Sequence, residues 1–197
     1  KKSTSGMSVT PSSVAAFSMA RLPMPSARSA NASSPSYQWR VTTPSDREIV
    51  MTRTFDAPRD LVFEAHSLCE HLSNWWGPRK YEVASCEIDF RPGGTWRIVH
   101  KSTEGPDEHG FRGEFREIVR PERLVWTFEW EGRPGDVSVE TLTFEEHDGK
   151  TALTASAVYD TVEDRDGVLQ SGMTEGAIET WDRLEEYLGS LQARQSS

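Results

Sequence analysis

The chain has 197 residues, with 36% hydrophobic, 27% charged and a formal net charge of −9. It holds no run of about 18 apolar residues, which excludes a membrane-crossing helix. Two cysteines exclude a disulfide framework or a four-cysteine zinc site. The acidic balance argues against a general nucleic-acid binder.

The charge is uneven. Residues 1–46 carry a net +4, with 12 Ser and five Pro, so the rest of the chain carries −13. The opening stretch shows no period of 3.6 or 2 and cannot bury enough surface to offset its ordering entropy. Its Arg- and Ser-rich composition is shared by organelle transit peptides, but a plain disordered extension over 1–46 is the simpler reading. The expected folded domain covers 47–191, with a tail over 192–197, in a cytoplasmic protein.

Glu48–Phe55 alternates and is rich in β-formers, which predicts a strand. Asp56-Ala57-Pro58 reads as a helix start with Asp56 as N-cap, followed by the stripe Leu61, Val62, Ala65 and Leu68. A second short helix is expected over Glu70–Trp75, stopping at Gly77-Pro78. Strands follow over Glu82–Phe90, Thr95–Ser102, Phe111–Val119, Leu124–Glu131, Val137–Glu145 and Lys150–Tyr159. Glu104–Gly110 reads as a polar loop, and Asp148-Gly149 as a hairpin turn. From Leu169 through Met173, Ala177, Trp181, Leu184 and Leu188 to Leu191, the spacing of three and four predicts one continuous helical face.

Strand parity places Trp96, Ile98 and His100 on one face, with Phe111, Gly113 and Phe115, then Leu124, Trp126, Phe128 and Trp130. That face is aromatic and the other mostly polar, so the aromatic one should look at the long helix. Val137–Glu145 is ambiguous, because Leu142 and Phe144 share the parity of Glu140. The expected architecture is α+β, a curved antiparallel sheet wrapped around a long C-terminal helix, with two short helices after the first strand.

Several segments in order carry a family resemblance: Phe55-Asp56-Ala57-Pro58, Asn74-Trp75-Trp76-Gly77-Pro78, Pro92-Gly93-Gly94-Thr95-Trp96, Gly113–Ile118, Pro121–Thr127, and Thr174-Glu175-Gly176 before Trp181. The chain resembles the START-like, or SRPBCC, superfamily, in the branch of homologues of the heat-shock-protein ATPase activator Aha. The resemblance implies a helix-grip fold with a cavity between sheet and long helix. Relatives bind lipids, sterols, polyketides or hormones, and some are aromatase/cyclases or act on chaperones. A few in enediyne producers resist their own antibiotic by binding it and letting its diradical cut their backbone.

No phosphate loop, His-Glu-x-x-His or Gly-x-Ser-x-Gly elbow is present. His109 and His147 fall in polar loops and read as solvated, whereas His100 shares the inward parity and reads as a polar handle. Cys69 and Cys86 read as buried thiols. The aromatics exceed what filling a core requires, and small residues between them, Gly113, Ala155, Ala157, Gly172, Gly176 and Ala177, leave volume. The candidate ligand-binding residues are Trp75, Trp76, Trp96, Ile98, His100, Phe111, Gly113, Phe115, Trp126, Phe128, Met173, Gly176, Ala177 and Trp181. Gly113, whose Cα–H lacks a shielding side chain, is the candidate for radical self-cleavage.

The expected protein is a binder rather than an enzyme, with no catalytic residue, metal or cofactor. Its ligand would be an apolar polycyclic or polyketide-like small molecule, most concretely an antibiotic met by sequestration or self-sacrifice. Nucleic acid and membrane are not expected partners. The alternatives are a cyclase-type enzyme, using His100 or an interior carboxylate as general base, and a chaperone-interaction module.

Overall fold

A computed structural model describes residues 39–195. In chain order the elements are β1 (Arg40–Thr42), β2 (Glu48–Phe55), α1 (Arg59–Ala65), α2 (Cys69–Trp75), β3 (Tyr81–Ile88) and β4 (Thr95–Ser102). Then come β5 (Glu108–Val119), β6 (Arg123–Trp130), β7 (Val137–His147), β8 (Lys150–Val158), α3 (Val162–Gln170) and α4 (Met173–Gln195). The strands pair antiparallel in one open sheet, ordered β1-β2-β8-β7-β6-β5-β4-β3. The meander β3–β8 keeps sequence order because each connection is a short turn, and β2 joins it at β8, with Glu48 opposite Val158 and Phe55 opposite Thr151. This is the α+β helix-grip architecture.

Parity sets the core. Phe55, Leu124, Phe144 and Leu153 from the sheet are at most 1% exposed, as are Val62 from α1 and Leu184 and Leu188 from α4. Burial of a side chain of this size stabilises by about 1.5–3 kcal/mol. Val137–His147 resolves its ambiguity with Ser138, Glu140, Leu142 and Phe144 facing inward, since Leu142 and Phe144 are buried. One inward charge is paired: Arg53 on β2, 4% exposed, meets Asp182 of α4 at 2.5 Å.

Five sequence expectations are corrected. The sheet starts earlier than residue 47, because β1 pairs with β2 through Val41 and Met51; residues 1–38 of the expected extension lie outside the described residues. The polar loop ends at Asp107, so His109 and Gly110 belong to β5. Asp56 does not cap α1: Pro58 holds the N-cap position, and the Arg59 amide donates to Glu146 Oε2 of β7 at 2.8 Å. The C-terminal helix is two helices. Gly172 adopts φ +78°, which a glycine tolerates and a helix does not, and the chain turns there between α3 and α4.

The fifth concerns the cysteines. Cys69 and Cys86 are not free thiols but a disulfide, with Cα atoms 5.6 Å apart. It ties α2 to the edge strand β3. Among the described residues no helix is long and apolar enough to cross a membrane.

Candidate binding cleft

The concave face of the sheet divides into a closed and an open half. In the closed half Trp96, Ile98, Phe115 and Trp126 are at most 5% exposed and pack against α1, α2 and the Trp181–Leu188 stretch of α4. The space enclosed there, between His66, Leu72, Trp76, Trp96 and Trp126, is about 10 Å³. That is room for about one water, far below the ~300 Å³ of a small drug-sized pocket.

The open half lies beyond Trp181. No residue of α3 is buried, and none of α4 between Met173 and Thr180 is. Opposite them, the inward-facing Phe111, Phe128, Trp130, Ala155, Ala157 and Tyr159 are only half-buried. The apolar end of the sheet's concave face is therefore only partly covered, since α3 is a polar helix and brings no apolar layer down onto it. Gly167 of α3 comes within 3.9 Å, measured from its would-be Cβ, of the Arg133 guanidinium in the β6–β7 turn. The helix thus follows β8 and reaches across to that turn, forming a rim of the cleft.

Glu140 is an inward-facing carboxylate on this face, apart from the paired Arg53. It sits on β7 between Trp126 of β6 and Ala157 of β8, its register partners on either side. Directly opposed residues share a face. The Trp126 indole Nε1–H donates to Glu140 Oε2 at 2.8 Å. Desolvation pushes the carboxyl up to about 7, the indole hydrogen bond opposing it. The same surroundings, and then the neighbouring Glu140 charge, raise the Tyr159 phenol. Sequence parity held the signal for Glu140, which was not among the expected ligand residues.

Two histidines are held neutral and are poor bases. His66 is buried, bonded through Nδ1 to the Val62 carbonyl at 2.7 Å, and desolvation lowers it to about 4. His100 is also lowered to about 4, by desolvation and then by His109 and Arg183. It points inward as expected, packed on Tyr81, Phe111 and Gly77, and its Nε2 has no hydrogen-bond partner. His109 is not simply solvated: its Nε2 lies 3.2 Å from the Tyr81 hydroxyl. Among the described residues no His, Cys, Asp or Glu cluster could hold a metal ion.

The expected ligand residues fall into three groups. Trp75, Trp96, Ile98, Phe115, Trp126 and Trp181 belong to the buried core, and Trp75 donates its indole N–H to the Ala65 carbonyl at 3.0 Å. Trp76, Phe111, Phe128 and Ala177 are half-buried, and Met173 is 39% exposed. Gly176 faces Pro78, whose Cγ would lie 3.4 Å from a Cβ there. At Gly113 the inner side is filled. A Cβ would overlap the Thr127 carbonyl and stand 2.6 Å from Trp96 Nε1. The glycine admits a close approach of strand and indole, and its inward Cα–H is covered by them.

The family model described as Activator of Hsp90 ATPase homolog 1-like protein matches residues 56–189, from the turn before α1 to near the end of α4. The chain belongs to this family. Solved structures agree in fold. Protein NE0264 from Nitrosomonas europaea is 26% identical with TM-score 0.69, over 77% of this chain and 99% of that one. A protein from Rhodobacter sphaeroides is 25% identical with TM-score 0.71, over the same shares. CalU16 from Micromonospora echinospora is 21% identical with TM-score 0.51, over 80% and 87%, a likeness of fold alone. No curated protein sequence matches.

In this family member a concavity of about 600 Å³ lies on the opposite, convex face, beside Glu87, Arg97, Arg112 and Glu129. Both of its arginines are paired: Arg97 bonds Glu131 at 2.7 Å and Arg112 bonds Glu129 at 2.6 Å. Exposed pairs of this kind hold their side chains to each other and contribute little stability. The open concave half is instead lined by apolar residues, with Glu140 among them.

Proposed function

We propose that the protein binds an apolar polycyclic or polyketide-like small molecule in the open half of its concave face, beneath α3 and the start of α4. The observation that carries this is the partly covered apolar end of the concave face, with Phe111, Phe128, Trp130 and Ala157 half-buried while α3 and the α4 residues before Trp181 bury nothing. Clefts of this composition with a few convergent polar groups are the usual form of a ligand site. The concrete role we favour is sequestration of an antibiotic of that chemical type. Self-cleavage at Gly113 has less support, because its inward hydrogen lies under Trp96 and the Thr127 carbonyl.

Titration with a panel of apolar polycyclic natural products, read by the emission of the seven Trp, tests this. Micromolar, saturable changes are expected, and Ala157→Phe should abolish them while far-UV circular dichroism stays native. A ring at 157 fills the space between Glu140 and Ile49, its register partners. Unaltered emission across the panel, or unaltered binding by Ala157→Phe, overturns the reading.

A further inference from the structure

We infer that the cleft selects ligands carrying a protonated amine, with Glu140 as the group that receives it; this rests on the cleft being the ligand site. Two inward-facing charged residues interrupt the apolar face. Arg53 is paired with Asp182 at 2.5 Å and with Glu185 at 4.0 Å. Glu140 has no cationic partner among the described residues, and its one hydrogen bond is from a neutral indole to Oε2. Charges taken out of water are ordinarily paired, because an unpaired one loses hydration with nothing in return.

Glu140 is half-buried as a residue, and its second oxygen, Oε1, accepts from no described group yet is not among the sealed, unpartnered polar atoms, so it is left to water or to a ligand in the cleft. An ammonium supplies both the missing charge and an N–H donor, and such charge-assisted bonds are about twice as strong as neutral ones. The half-exposed rings of Phe111, Phe128 and Trp130 on the same face favour a cation over their π-systems and repel none of its apolar part. The net charge of residues 47–197, −13, favours the approach of cations over anions. The ligand class is therefore a fused-ring compound bearing a basic nitrogen. Glu140 would fix its orientation, ring system inward and nitrogen at β7.

A matched set of probes separates this from the cleft reading itself: aminomethylpyrene, cationic; methylpyrene, neutral; and pyrenecarboxylate, anionic. Affinities are measured at pH 8 by Trp emission and by calorimetry. The cation is expected to bind at least about tenfold more tightly than methylpyrene, and the anion least. In Glu140→Gln the ratio of cation to neutral affinity should fall to near one, and in Glu140→Asp it should fall less. Glu145→Gln, on the exposed face of the same strand, controls for the general acidic field and should keep the wild-type ratio. A ratio near one in the wild type overturns the inference while leaving the cleft reading standing. A ratio that survives Glu140→Gln, or falls equally in Glu145→Gln, overturns the assignment to Glu140. If no probe binds the wild type, the cleft reading fails and the inference with it.

Discussion

Gly113 of β5 and Thr127 of β6 approach so closely that a Cβ on the glycine would overlap the threonine carbonyl oxygen. The regular ladder of β5 and β6 skips Gly113 and Glu114, and the Glu114 amide donates instead to the Thr127 hydroxyl at 2.9 Å. The obstacle is backbone on one side and the Trp96 indole on the other, so neither yields cheaply.

Gly113→Ala is therefore expected to destabilise the fold by about 1–3 kcal/mol, the usual cost of overpacking. Gly105→Ala, in a loop where nothing lies within 4 Å of a Cβ, should change stability by less than about 0.5 kcal/mol. Urea unfolding of both variants measures the difference. Equal midpoints would show that β5 and β6 can separate at Gly113 without cost.

Opposed titrations shape the pH dependence. Glu140 sits at about 7 in the fold against 4.5 for an ordinary glutamate. The folded state thus holds this proton more tightly, and stability falls as pH rises from about 4.5 through 7, by up to about 3 kcal/mol. His66 and His100 run the other way. Held at about 4 against 6.5, they are neutral in the fold, so stability is lost as pH falls below about 6.5 toward 4. Glu140→Gln removes the first effect only. Its urea midpoint should exceed that of the wild type at pH 8, with the gap closing by pH 4.5. A gap that does not vary with pH would mean that Glu140 ionises freely in the fold.

The Cys69–Cys86 bond closes a loop with a sequence separation of 17 residues. In the chain-entropy account a loop of this length is worth about 3 kcal/mol. Reduction should lower the melting temperature by several degrees, and Cys69→Ser with Cys86→Ser should reproduce that loss without reductant. The thiol titre of the unfolded, unreduced protein should be zero. Two reactive thiols in protein kept from oxidants throughout, with an unchanged melting temperature, would show that the bond contributes nothing to the fold.

Much of the fold was legible because strand parity and turn residues report it directly. Trp96, Ile98 and His100 alternate inward as their spacing required, and the meander order followed from its short turns. What stayed hidden depended on tertiary position. The spacing Leu169–Met173–Ala177 fits a continuous helix equally well with or without a break, and only the positive φ of Gly172 decides it. The strand β1 has one half-buried residue, Val41, and so no periodicity. The disulfide requires α2 to dock beside β3, which no local pattern reports. In the candidate site, Glu140 was marked by its parity with Leu142 and Phe144. The division into closed and open halves was not, because it follows from where α3 diverges.

The loop between α2 and β3 is held by Arg183 of α4, whose Nη1 donates to the Gly77 carbonyl at 2.7 Å and whose Nη2 donates to the Asn74 carbonyl at 3.2 Å. Longer contacts of 3.3–3.4 Å reach the carbonyls of Trp76, Pro78 and Tyr81. One planar fork thus satisfies a turn that has no strand or helix partner, and the turn in turn presents Gly77 to the His100 ring. Arg183→Ala should cost about 1.5–3 kcal/mol, the range for hydrogen bonds to a charged group. Arg183→Lys should recover only part of it, because an ammonium cannot span carbonyls that the guanidinium bridges with two nitrogens. Amide exchange at Trp76 and Tyr81, whose N–H groups bond Leu72 and Pro78 within the turn, should quicken in both variants, more in Ala than in Lys. Full recovery by lysine would mean that charge alone holds the loop, and unchanged exchange in Arg183→Ala would mean that the loop holds itself.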